Sequence, residues 1–128
     1  MAVNGRVLGT LPASDMARAR DFYTHNLGLK PITETADGLI YECDDNSRIL
    51  LFPSTGKASG THTQAIFEVD DVEAQMAQMR GNGVVFEEYD LPDMTTENGL
   101  IVDSQGFKTA FFKDSEGNLI AISEQRPM

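Results

Sequence analysis

Duplication constrains this chain of 128 residues more than any single motif does. A short apolar run beginning at Leu8 ends in the pair Ser14-Asp15, and a second beginning at Gln64 ends in Asp70-Asp71, so both recur at a spacing of 56. Hydroxyl and carboxylate side chains at such points accept bonds from the first free N–H groups of a helix. The spacing predicts a helix after each pair, the first burying Met16, Ala19, Phe22 and Tyr23, the second Val72, Met76 and Met79. Asn26 and Gly28 mark the exit of the first helix, and Gly81, Asn82 and Gly83 that of the second.

Three strand-like runs follow each helix. In the first half they are 29–35, 39–43 and 48–53; in the second, 84–89, a segment within 100–113, and 118–124 after the turn 114–117. The order strand, helix, three strands, twice over, specifies one α+β domain of two βαβββ modules, about 5–55 and 61–125, joined by the polar linker 57–60. Residues 91–99 are the longest stretch without pattern, and such a loop in a small domain is a place to look for function.

Charge narrows the partners. Twenty Asp and Glu against ten Lys and Arg leave a net charge of −10, with the cations scattered. Nucleic acid binding needs a basic patch, so a neutral or cationic small molecule is the expected partner. No apolar run reaches the roughly 20 residues of a membrane span, and the start of the chain lacks the apolar core of a secretory signal. The single Cys43 cannot form an internal disulfide and reads as a small buried hydrophobe rather than a nucleophile. A cytoplasmic location is the expectation.

With these elements laid out, the chain resembles the vicinal oxygen chelate superfamily, which includes glyoxalase I, extradiol dioxygenases, and fosfomycin and bleomycin resistance proteins. The resemblance covers nearly the whole chain. It rests on the run from Asp15 through Phe22-Tyr23 into Leu27-Gly28-Leu29, on Phe67-Glu68-Val69-Asp70-Asp71-Val72, and on Phe112-Lys113-Asp114-Ser115-Glu116-Gly117-Asn118. It implies two modules side by side, mixed sheets curling around a cavity, helices outside, and pairing of two chains to complete the cavity.

In metal-dependent relatives four inward-facing strand positions carry His, Gln and Glu, which hold a divalent ion that polarises substrate oxygens. Counting seven residues back from Asp15 and Asp71 gives Leu8 and Gln64, and aligning Asp114 with Asp44 gives Ala121 and Leu51. One amide oxygen among three hydrocarbon side chains is no ligand set for a divalent ion. The resemblance therefore implies a member whose metal site is lost, with no cofactor and no identifiable catalytic residue.

A shift of register by two would bring His62 onto the face of Gln64, and His62, Glu68 and Glu124 are the alternative ligand set. The expected cavity takes Leu8, Thr10, Leu51, Gln64, Ile66, Glu68 and Ala121 from the strands. Tyr41, Phe52, Phe111 or Phe112, and Met94 of the unpatterned loop are candidate walls. Apolar walls with a few polar atoms suit a small organic molecule. Two readings follow: a metal-independent binding protein of the bleomycin-resistance type, acting as a homodimer, or a glyoxalase-like lyase or dioxygenase with unusual metal ligands.

Overall fold

The computed structural model describes residues 3–5, 7–56 and 58–124; Arg6 and Lys57, and Gln125 at the end of the second expected module, lie outside the described residues. The first module comprises β1 (Gly9–Ala13), α1 (Met16–Asp21), β2 (Pro31–Thr35), β3 (Gly38–Glu42) and β4 (Arg48–Pro53). The second comprises β5 (Thr63–Val69), α2 (Val72–Gly81), the two-residue strands β6 (Asp90–Leu91) and β7 (Met94–Thr95), then β8 (Leu100–Val102), β9 (Lys108–Lys113) and β10 (Leu119–Glu124). Each module forms a four-stranded sheet, ordered β1-β4-β3-β2 and β5-β10-β9-β8, with its outer pair parallel and the rest antiparallel.

Capping explains where the helices begin. Asp15 Oδ1 accepts from the Arg18 N–H at 3.1 Å, and Asp71 Oδ1 from the Ala74 N–H at 3.0 Å. The expected inner faces are the observed ones: Ala19, Tyr23, Val72, Met76 and Met79 are buried, with Met16 and Phe22 packed against them. Past α1 the backbone widens into one π-helical turn, Phe22–Asn26, and two consecutive aromatics both turn inward. Phe22 stacks on Phe112 with centroids 6.4 Å apart, and Tyr23 lies 5.8 Å from Tyr41.

Each sheet carries its helix on one face, and the core on that side is continuous between the modules. The other face of each sheet points away from it. Among the described residues no strand of one module pairs with a strand of the other.

Two expectations are corrected. Residues 84–89 are not the strand that follows α2: they make one isolated bridge, Phe86 to Phe112, and the Glu87 N–H donates to the Phe111 carbonyl. The strand equivalent to β2 is β8, so the segment 100–113 supplies two strands rather than one. Only the end of β9 beyond β8 remains open to this stretch, which limits its pairing. The loop 91–99 is not wholly irregular either, because β6 and β7 form a small hairpin there.

Candidate binding faces

Strand neighbours in register share a face, so the pairings assign every candidate side chain. In the first sheet Leu11 pairs with Leu51 and Leu51 with Leu39, and all three are buried in the core under α1. Thr10 pairs with Leu50 and Leu50 with Ile40, which puts these on the opposite, outward face together with Leu8. In the second sheet Ile66 pairs with Ala121 and Ala121 with Phe111 on the outward face, while Ala65, Phe67 and Val69 pack toward the core.

Leu51 therefore faces the core, and Leu50 is the residue of this strand on the outward, candidate face. The cause is a slip of one residue in the alignment. The hairpin bond from Asp114 N–H to the Asn118 carbonyl has its equivalent in Cys43 N–H to the Ser47 carbonyl, and the pairs Lys113–Leu119 and Glu42–Arg48 match likewise. Asp114 thus corresponds to Cys43, not Asp44, and Ala121 to Leu50. A shift of one residue turns a strand side chain to the other face. Nothing in the run Arg48-Ile49-Leu50-Leu51-Phe52 alternates strongly enough to reveal it.

Tyr41 and Phe112 are also corrected. Both are fully buried on the core side, Tyr41 against Tyr23 and Phe112 against Phe22 and Phe86. Phe111 and Phe52 are the outward aromatics, by their register with Ala121 and with Pro12, which shares the face of Thr10. Met94 is half-buried on β7 and pairs with Leu91. Cys43 is half-buried, and burial together with the charges of Asp44 and Glu42 pushes its thiol pKa up, away from nucleophile chemistry.

The outward faces are strongly apolar for surfaces left bare. Leu8 is 40% exposed and Ile66 58%, beside half-buried Leu50, Phe52 and Phe111. Polar atoms are sparse: Thr10 and Glu68 are exposed, and Arg48 lies 3.8 Å from Glu42. Gln64 is the extra residue of a bulge, since Thr63 pairs with Leu119 and Ala65 with Ile120. Its Oε1 is buried without a hydrogen-bond partner among the described residues.

A divalent ion does not fit this donor set. Leu8, Leu50, Gln64 and Ala121 present one oxygen between them, and the alternative set does not assemble. Glu68 faces outward with Ser123, whereas Glu124 pairs with Val69 of the core side, and His62 Nδ1 is engaged by Ser59 Oγ at 2.6 Å. Among the described residues no three His, Cys, Asp or Glu side chains come together as a metal site.

Beside Phe111 opens a cleft of about 410 Å³ lined by Glu88, Tyr89, Asp90, Thr95 and Thr96. Tyr89 meets Phe111 edge to face at 5.9 Å, and its N–H donates to Thr96 Oγ1 at 2.8 Å. Glu88 Oε1 accepts from Thr96 Oγ1 and from the Gly99 N–H, both at 2.6 Å, and these bonds lower its pKa. Thr95 and Thr96 fall in the loop 91–99 that the sequence singled out, but Glu88, Tyr89 and Asp90 were not read as site residues, because the pairing that aligns them joins strands only two residues long. The Tyr89 ring would have been the signal.

A family model described as the Glyoxalase/Bleomycin resistance protein/Dioxygenase superfamily matches residues 6–122. No curated protein matches the sequence. Among solved structures, a bleomycin-binding protein complexed with bleomycin is 18% identical, with 96% of this chain and all of that chain covered and a TM-score of 0.72. Lactoylglutathione lyase from Agrobacterium tumefaciens is 18% identical over 97% and 96% of the two chains, with a TM-score of 0.69. An antibiotic binding protein from Streptomyces sp. CB03234, TnmS3, is 21% identical over 98% and 99%, with a TM-score of 0.66. At these identities the likeness is one of fold.

Proposed function

Because the chain belongs to the glyoxalase, bleomycin resistance protein and dioxygenase superfamily, and this fold serves binding proteins and enzymes alike, we propose that it binds a small organic molecule without a metal ion. The observation that carries this reading is the composition of the four equivalent outward positions, Leu8, Leu50, Gln64 and Ala121. Hydrocarbon has replaced the groups that would polarise a substrate or move its proton. What remains suits burial: apolar walls in Leu8, Leu50, Ile66 and Phe111, and a few isolated polar groups in Thr10, Gln64 and Glu68 to orient the ligand.

A single chain leaves these faces bare, so the binding unit is a homodimer in which the first sheet of one copy faces the second sheet of the other. A two-fold pair is the commonest assembly, and it would cover both apolar faces at once. The charge of −10 favours a cationic ligand by long-range attraction. No helix among the described residues is long and apolar enough to cross a membrane.

The test uses bleomycin and a panel of smaller organic cations as probes in thermal melts of chelator-treated protein. A melting temperature that rises with probe concentration for at least one cation supports the reading, because a ligand that binds only the native state stabilises it by mass action. Melts that move with none of them, together with turnover of an α-ketoaldehyde–thiol adduct once a divalent ion is added, would favour the glyoxalase-like reading.

A further inference from the structure

Among the described residues the two modules share no strand pairing, so side chains carry their relative orientation. Polar contacts between them concentrate where the β9–β10 turn of the second module meets the β1–α1 junction of the first. Glu116 Oε1 accepts from the N–H groups of Ser14 and Asp15, both at 3.0 Å, and from Arg18 Nη2 at 3.0 Å. Its Oε2 accepts from Arg18 Nε and Ser115 Oγ, both at 2.8 Å. The carboxylate is 2% exposed. Two residues away in each direction, Asp114 accepts from Tyr23 Oη at 2.6 Å, and Asn118 Nδ2 donates to the Pro12 carbonyl at 3.0 Å.

The duplicated turn of the first module has nothing comparable. By the register of the hairpins, Cys43, Asp45 and Ser47 stand where Asp114, Glu116 and Asn118 stand, and Asp45 is exposed. The latch is thus single and one-sided. A buried carboxylate holding two backbone N–H groups and an arginine fork restricts rotation far more than apolar contact does, because its bonds are directional.

We infer that Glu116 is a positioning residue: its carboxylate fixes the angle between the modules, and with it the angle at which the two outward sheet faces are presented to a ligand and a second copy. The inference rests on the reading of those faces as the binding surface, but its test does not use a ligand. Spin labels are placed on the exposed turns at Asp37→Cys and Ser104→Cys in a Cys43→Ser background. Labelled chain is diluted with unlabelled chain, so that pulsed dipolar spectroscopy reads distances within one copy.

The latch predicts a narrow distance distribution that broadens and shifts in Glu116→Ala and, less, in Glu116→Gln. Arg18→Ala, which leaves the carboxylate on its two backbone donors, should broaden it as well, and it decides the matter if Glu116→Ala loses its native circular dichroism. Asp71→Ala weakens α2 within one module and serves as the control, lowering the melting temperature without broadening the distribution. Latch variants that melt earlier yet keep the wild-type width would overturn the inference, since a residue that merely stabilises gives that result.

Discussion

Tyr23 Oη donates to Asp114 Oδ2 at 2.6 Å, and through that bond the first module anchors a buried carboxylate of the second. Asp114 also takes the N–H groups of Glu116 and Asn118 on Oδ1 and Asn118 Nδ2 on Oδ2. Burial and the charge of Asp114 keep the Tyr23 hydroxyl protonated far above its ordinary range. Tyr23→Phe removes one donor from a charged acceptor in a site closed to water. We expect a loss of about 2 kcal/mol in urea unfolding with the m-value unchanged.

Glu116 makes stability depend on acid. Its bonds to Arg18, Asp15 and Ser115 hold its pKa at about 2 against an ordinary 4.5. A folded-state pKa below the unfolded one means stability that is complete above the unfolded value and is lost as pH falls toward the folded value. The expected loss between pH 4.5 and 2 is on the order of 3 kcal/mol from this group. In Glu116→Gln the protein is less stable at neutral pH, and the difference from wild type closes as pH falls through that window. Unfolding curves at a series of pH values measure it.

Gly38 opens β3 with φ of 141°, and a Cβ there would stand 2.0 Å from the Leu51 carbonyl oxygen. Both the conformation and the contact with backbone refuse a side chain. Gly38→Ala should cost at least about 3 kcal/mol or prevent folding, read as yield of soluble protein and melting temperature. By contrast Asp71→Ala, which removes the cap of α2, should cost about 1 kcal/mol.

Ile66 is 58% exposed on an outward face, so a polar residue there disturbs little within one chain. Ile66→Glu should change monomer stability by no more than about 0.5 kcal/mol. The dimer reading expects the same variant to sediment as a monomer, because the charge would be buried against the partner copy without a counter-ion. Sedimentation velocity of wild type and variant decides between a covered face and a bare one.

The modules, both helices and their inner faces were legible in the sequence because the signals are local: an acid or hydroxyl before each helix and apolar residues at helical spacing. Ala65, Phe67 and Val69 form one apolar row alternating with Gln64, Ile66 and Glu68, polar at two of the three, and their strand was assigned to the correct face. The run around Leu50 and Leu51 is apolar on both faces, so it carried no register, and a one-residue slip went unseen until pairing with Thr10 and Ile40 fixed it. Tyr41 and Phe112 looked like cavity walls for the same reason. Position 86 was misread because its apolar neighbours match a strand, while its place beside β9 was mostly taken by β8. The latch at Glu116 joins residues about a hundred positions apart, and no local pattern announces it.

The central claim is that the outward faces carrying Leu8, Leu50, Gln64 and Ala121 bind an organic molecule and no metal. Native mass spectrometry of the protein as purified, before and after one equivalent of Zn²⁺ or Mn²⁺, tests it most directly. The account predicts a two-chain species without a divalent ion, unaltered by the added metal and able to retain a small organic adduct. One tightly held divalent ion per chain would contradict it and return the enzyme reading to first place.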